Sequence, residues 1–327
     1  MPLLSLCMIV KNEATHLARA LKSARETVDE MVVVDMGSDD GTVAIAESLG
    51  ARVLYHAWAD DFSAARNISL EAASGNWALV LDADEVLVGP KGEAFRQRLQ
   101  DTDAAGFRVI VRNFFDVEEQ SGFEDALLTR LFRLAPDIRY ERSIHEQILP
   151  AIRRAGGRIE DSDTLIRHHG YASDTVQGGN CRTARNLKML REALVGEPDQ
   201  AYLHFQLGVT LNAASEFAEA NAALLKAVEL PGLGRDARVR ADALLGQMAL
   251  REKRVPLAFR YASAALADDP LNACALFVAA YSAMALGELE EALPLIERAL
   301  AHPALPLARR PMFTKMRALC LSTKKSL

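Results

Sequence analysis

Three carboxylates stand at the end of a short apolar run. Ala78 to Leu81 is apolar, and Asp82-Ala83-Asp84-Glu85 follows at once. Such a run suits a buried strand. Its acids then fall at the C-terminal end, where open α/β sheets place their ligand crevices. Acids two residues apart point to the same side of an extended chain. Asp82 and Asp84 are therefore expected to divide a metal and a ribose or a bridging water between them. Hard divalent cations take oxygen ligands of this kind and share them with a diphosphate. A solvated acidic turn after a strand would read the same way, so the other strand ends must decide.

Those ends follow a common plan. Pro2 to Val10 is nearly all apolar, as expected for a parallel strand covered on both faces, and Lys11-Asn12-Glu13 comes next. Leu17, Ala20, Leu21 and Ala24 recur at helical spacing. Met31 to Val34 forms a second strand ending in Asp35. The turn-rich Gly37-Ser38-Asp39-Asp40-Gly41-Thr42 precedes a helix over Val43 to Leu49, which Gly50 stops. Ala51 to Tyr55 is a third strand. A helix over Phe62 to Ala73 carries Arg66 and Asn67, Gly75-Asn76 turns the chain, and Trp77 to Leu81 is the fourth strand. Alternating strands and helices predict a parallel sheet with right-handed crossovers. Asn12, Glu13, Asp35, Asp82 and Asp84 would then line one crevice.

Beyond Gly106 the pattern changes. Gly106 to Arg112 and Leu127 to Leu134 alternate as strands of a mixed region, with a polar loop over Asp116 to Asp125 between them. Histidines occur in chemically suggestive settings at His145-Glu146 and at His168-His169-Gly170-Tyr171. From about Thr183 the chain is helical, alanine-rich and repetitive. Leu207-Gly208 with Ala220 and Ala227 opens one unit, Leu245-Gly246 with Ala258 and Ala265 a second, and Leu286-Gly287 with Ala292 and Ala299 a third. This pattern fits tetratricopeptide-like hairpins, whose period is about 34 residues. Stacked hairpins offer a concave surface for a partner or for self-association. A plain helical bundle is the alternative.

The 327 residues allow one to three domains. A composition 50% hydrophobic and 25% charged is that of a soluble globular protein. A net charge of -6 and a pI near 5.7 argue against a nucleic-acid binder. No apolar run approaches the roughly 20 residues that span a bilayer, and the opening stretch reads as a first strand, not a secretion signal. The four scattered cysteines suggest free thiols in a reducing cytoplasm.

The N-terminal motifs resemble family 2 glycosyltransferases. Ser5-Leu6-Cys7-Met8-Ile9-Val10-Lys11-Asn12-Glu13 is similar to their opening strand, and Val33-Val34-Asp35-Met36-Gly37-Ser38-Asp39-Asp40-Gly41-Thr42 to their V-D-x-G-S-x-D-G-T segment. Asp60-Asp61-Phe62-Ser63-Ala64-Ala65-Arg66-Asn67 and Leu81-Asp82-Ala83-Asp84-Glu85 resemble their arginine-asparagine helix and D-x-D. His145-Glu146, His168-His169-Gly170-Tyr171 and the helices beyond resemble a bacterial branch that adds tetratricopeptide-like repeats.

The resemblance implies a GT-A, Rossmann-like α/β domain over residues 1–180 and an all-α repeat domain over 181–327. It implies an inverting, metal-dependent transfer from a nucleotide-sugar, UDP-linked in the first place, to a glycan, lipid-linked or protein acceptor. Val10, Asn12, Glu13, Asp35, Arg66, Asp82 and Ala83 would bind the donor, with Asp35 on the uracil or ribose and Arg66 facing the diphosphate or base. Asp84 would bind Mn²⁺ or Mg²⁺, joined by His168, with His169 as the competing neighbour. The base would be Glu146, with Asp125 as its rival. The helical part would recruit the acceptor, bind a protein or form a homodimer. The expected location is the cytoplasm or the inner face of a membrane. An inactive scaffold and a sugar nucleotidyltransferase are the alternative readings; the second lacks a glycine-rich basic loop after the first strand.

Overall fold

The computed structural model describes residues 2–114, 123–168, 176–302, 305 and 309–326. His169, Gly170, Tyr171 and residues 116–122 of the expected loop lie outside them. The described residues fall into two compact units, one ending at His168 and one starting at Val176.

The first unit is built on an eight-stranded sheet of order β3-β2-β1-β4-β7-β6-β8-β5. Its parallel half contains β1 (Leu4–Val10), β2 (Glu30–Asp35), β3 (Arg52–Tyr55) and β4 (Trp77–Val80). Helices α1 (Leu17–Ala24), α2 (Thr42–Ser48) and α3 (Phe62–Ala72) connect them. All seven residues of β1 are buried. Leu4, Leu6, Met8 and Val10 join Leu17, Ala20 and Leu21 in one core. The other face of β1 packs differently: Cys7 lies with Leu70 and Ile9 with Ala65, both from α3. A strand covered on both faces has no place for polar side chains, which explains the unbroken apolar run.

The second half of the sheet is mixed. It contains β5 (Glu85–Gly89), β6 (Gly106–Phe114), β7 (Phe123–Arg133) and β8 (Ile159–His168), with α4 (Glu93–Asp101) and α5 (Leu149–Arg154) beside them. β7 runs antiparallel to β4 and β6, β6 runs parallel to β8, and β5 closes the edge antiparallel to β8.

Two expectations are corrected here. Asp82 to Glu85 is not a continuation of an extended strand. β4 stops at Val80, and the Glu85 N–H donates to the Asp82 carbonyl at 3.0 Å, closing a turn. The chain must leave the middle of the sheet there and cross to its far edge, where β5 pairs with β8. Phe123 to Asp125 likewise belongs to β7, not to a loop. Asp125 is paired through both oxygens with Arg112 across the ladder, and that guanidinium stacks 3.9 Å from the Phe123 ring centre. Such cross-strand pairs stabilise the ladder where sequence polarity suggests a loop.

The second unit is a run of helices: α6 (Val176–Gly196), α7 (Ala201–Ala213), α8 (Phe217–Glu229), α9 (Arg235–Arg251), α10 (Val255–Asp268), α11 (Ala273–Leu286), α12 (Leu289–Ala301) and α13 (Arg310–Ser326). No described helix is long and apolar enough to cross a membrane. Gly208 in α7 abuts α8: an added Cβ would lie 2.5 Å from Leu224 Cγ and 3.2 Å from the Ala220 carbonyl. At Gly246 in α9 an added Cβ would lie 3.1 Å from Val278 of α11 and 3.4 Å from the Ala258 carbonyl of α10. The third unit is in a different register from that expected. Gly287 caps α11 with φ +82°, so Leu286-Gly287 ends a helix instead of packing one. The equivalent position is Ala280, 34 residues after Gly246 as Ala292 is after Ala258, and both alanines are fully buried in one core.

The tight fit at Gly208 yields a test. Helix propensity favours alanine there by about 1 kcal/mol, whereas overpacking against buried Leu224 costs about 1–3 kcal/mol. Gly208→Ala is expected to lower the urea midpoint followed by circular dichroism at 222 nm. A raised midpoint would show that α7 and α8 separate freely.

Candidate active site

The N-terminal end of α3 carries the first part of the site. Asp61 caps the helix by accepting the Ala64 N–H at 3.0 Å. Ser63, Arg66 and Asn67 then share one face, as residues three and four apart must. All three hold the segment from Tyr140 to Glu146. The Ser63 hydroxyl donates to the Arg142 carbonyl. The Asn67 amide accepts the Tyr140 N–H at 2.8 Å and donates to the Tyr140 carbonyl at 3.0 Å. Arg66 Nε donates to Glu146 Oε1 at 2.6 Å. Arg142 (φ 76°) and His145 (φ 50°) take left-handed backbone conformations that side chains other than glycine seldom adopt. Between the paired Glu141 and Gln147, this tight loop presents Glu146 to α3.

Arg66 also donates from Nη2 to Asp82 Oδ1 at 2.7 Å. Arg130 donates to Asp82 Oδ2 at 2.8 Å and to Glu85 Oε1 at 3.3 Å. Glu85 accepts the Asp82 N–H at 2.8 Å through its other oxygen. The result is an alternating series: Glu85, Arg130, Asp82, Arg66, Glu146. A bulge in β7 makes it reachable. Phe107 faces Leu131 and Arg108 faces Thr129, so Arg130 is the extra residue, outside the ladder register. The side chains of Arg66 and Arg130 are only 7% and 13% exposed, and that of Glu85 2%. Burial alone would raise the Asp82 carboxyl, but Arg130 and Arg66 outweigh it and hold it well below the usual carboxylate range. Burial does raise Glu85, against the pull of Arg130. The Tyr140 hydroxyl, buried beside Arg66, is pushed up to about 12.

Asp84 points elsewhere. Its Oδ2 lies 3.3 Å from His168 Nε2, and His168 Nδ1 lies 2.7 Å from Asn113 Oδ1. The three residues come from the turn, the end of β8 and β6. Burial would lower the His168 pKa, but the hydrogen bond and charge of Asp84, with Glu85 and Asp82 behind it, raise it overall. Among the described residues, no set of three histidine, cysteine, aspartate or glutamate side chains is placed to hold a metal. A carboxylate oxygen and an imidazole nitrogen meeting at one point nevertheless suit a divalent cation that takes its remaining ligands from phosphate oxygens and water.

The nucleoside candidates form a third group at the ends of β1 and β2. Val10 is buried, and its carbonyl accepts the Met36 N–H at 2.9 Å. Asn12 (φ 57°) donates its N–H to Ser38 Oγ at 2.8 Å and accepts the Asp39 N–H at 2.9 Å. The Glu13 N–H donates to Thr42 at 2.7 Å. Asp35 is buried and accepts the N–H groups of Gly37 and Ser38, both at 3.1 Å. The two loops after these strands are thus tied together by the motif residues. Ala83 is buried within the turn.

Asp125 is not brought to the site. It pairs with Arg112, and side chains alternate along a strand. Asp125 and Arg112 therefore occupy the face opposite to Asn113 and His168. Arg130, Glu85 and Asn113 were given no role in the sequence reading. A lone arginine within the apolar stretch Leu127 to Phe132 was the available signal for the first. Glu85, the third acid after β4, was visible but carried no role. Nothing local marked Asn113.

Residues 5–152 match the family model described as Glycosyl transferase family 2. A TPR repeat-containing protein of Synechococcus elongatus is 42% identical over 212 residues, which cover 62% of this chain and 51% of the relative. The SPbeta prophage-derived glycosyltransferase SunS of Bacillus subtilis is 25% identical over 246 residues, 75% of this chain and 57% of the relative. The chain thus spans just over half the length of these two relatives. Among solved structures, S. aureus TarS 1-349 in complex with UDP-GlcNAc aligns at 17% identity with a TM-score of 0.43, covering 87% of this chain and 92% of that one. The N-terminal part of the chain, from residue 5 to residue 152, is thus similar to family 2 glycosyltransferases.

Proposed function

We propose that this protein is a metal-dependent, inverting glycosyltransferase that moves a sugar from a nucleotide-sugar, UDP-linked in the first place, to a hydroxyl-bearing acceptor. One observation carries the reading: at the D-x-D turn, Asp84 meets His168 while Asp82 is held by Arg66 and Arg130. In this reading Asp84 and His168 hold Mn²⁺ or Mg²⁺, which would neutralise the charge of the leaving diphosphate. The loops bearing Asn12, Glu13 and Asp35, with Val10 beneath them and Ala83 in the turn, receive the nucleoside. Arg66 stabilises the donor side as a fixed cation, since a guanidinium between two carboxylates does not lose its proton.

Glu146 is the proposed base. Arg66 engages Oε1, and Oε2 is assigned to the proton of the acceptor hydroxyl. Inversion needs one displacement, so no covalent nucleophile is invoked. The acceptor is a glycan, a lipid-linked glycan or a protein side chain, and the helical unit is proposed to recruit it or to pair two copies of the chain. A thermal-shift series with UDP-, GDP- and dTDP-sugars, with and without Mn²⁺, tests the donor class, because a ligand that binds only the folded state raises its apparent stability. No shift with any of them would favour a scaffold without transferase activity.

Two substitutions test the roles. Asp84→Ala is expected to lower Mn²⁺-dependent donor turnover about 100-fold or more while the thermal transition persists; wild-type turnover would remove Asp84 from the metal. Glu146→Gln keeps a hydrogen-bonding side chain beside Arg66 and removes the base. It is expected to leave the donor-induced thermal shift intact and to lower transfer about 10²–10⁴-fold. If Asp125→Asn does this instead, the base is misassigned.

A further inference from the structure

His168 is flanked in the sheet by two different partners. Across β6 and β8 it stands in register with Asn113, and across β8 and β5 with Glu85. Its ring is held at both nitrogens: Nδ1 faces Asn113 Oδ1 at 2.7 Å and Nε2 faces Asp84 at 3.3 Å. The Asn113 amide nitrogen faces the Val111 carbonyl at 3.5 Å, which leaves its oxygen toward the ring. An amide oxygen can only accept, so Nδ1 must carry the hydrogen in this pair. The hydrogen bond made by one imidazole nitrogen sets what the other can do. Here it leaves Nε2 as the nitrogen with a lone pair for a cation beside Asp84.

We propose that Asn113 is a positioning residue for the metal site: its side-chain oxygen fixes the ring orientation and the Nδ1–H form of His168, so that Nε2 is presented beside Asp84. The inference rests on the reading of His168 as a ligand and adds a residue from a different strand. Asn113 touches neither metal nor substrate in this role. Its side chain is partly buried, and its strand neighbour Arg112 faces the other side of the sheet.

The test uses the full chain. Mn²⁺ is titrated in the presence of UDP and followed by electron paramagnetic resonance for the wild type, His168→Ala, Asn113→Ala and Asn113→Asp. Each variant is first shown to keep the wild-type circular dichroism spectrum. Loss of an outer partner of a metal-bound histidine weakens binding about 10–100-fold. Asn113→Ala is expected to fall in that range. Asn113→Asp, which still accepts from Nδ1, should return affinity to within a few-fold. Ring ¹⁵N spectra of histidine-labelled protein without metal give an independent readout: the Nδ1–H signature of His168 should be lost in Asn113→Ala and kept in Asn113→Asp. If Asn113→Ala binds Mn²⁺ like the wild type while His168→Ala does not, the positioning role is overturned and the ligand reading stands. If His168→Ala itself binds like the wild type, the ligand reading fails and takes the inference with it.

Discussion

The alternating charges Glu85, Arg130, Asp82, Arg66 and Glu146 are the constraint on which the first unit depends. A guanidinium keeps its charge in any protein interior, so a buried arginine must find anions or water. Here each arginine lies between two carboxylates, and Asp82 lies between two arginines. Removing one partner of a buried pair costs about 3–5 kcal/mol, because the other charge is left uncompensated. Such a series is satisfied only when all its carriers are in place: α3 for Arg66, the turn for Asp82 and Glu85, β7 for Arg130, and the loop at Glu146. Four segments far apart in the chain thus share one condition of assembly. The same two arginines keep Asp82 ionised.

Much of the parallel half was legible in the sequence because its determinants are local. An apolar run such as Leu4 to Val10, buried on both sides, can only be a central strand. Capping residues such as Asp61 and stops such as Gly50 mark helix ends within one or two turns. Arg66 and Asp82 were both placed toward one expected ligand site, but their direct pairing was not foreseen. What escaped depended on partners distant in sequence. β5 is five residues of ordinary composition that become a strand because β8 lies at an open edge. Asp125 was read as a loop acid because its polarity gave no hint of Arg112 across the ladder. Arg130 reaches the site through a one-residue bulge, and bulges leave no periodic trace.

The helical unit shows the opposite balance. Alanine at many packing positions made helix content plain and register ambiguous. Leu286-Gly287 looks like Leu207-Gly208 as text, yet Gly287 ends a helix in a left-handed conformation and Gly208 lies against Leu224. Only the spacing to Ala292, matched to the spacing of Gly246 to Ala258, separates the two cases.

The turn at Asp82 to Glu85 has a geometric meaning beyond its ligands. It is the single crossing by which the chain passes from the middle of the sheet to its far edge. Asp82, at its start, is fixed to the centre through α3 and β7, and Glu85, at its end, is fixed to the edge through β8. The turn therefore works as a ruler laid across the sheet. The turn that carries the two aspartates is thus anchored at both ends by strands lying outside it.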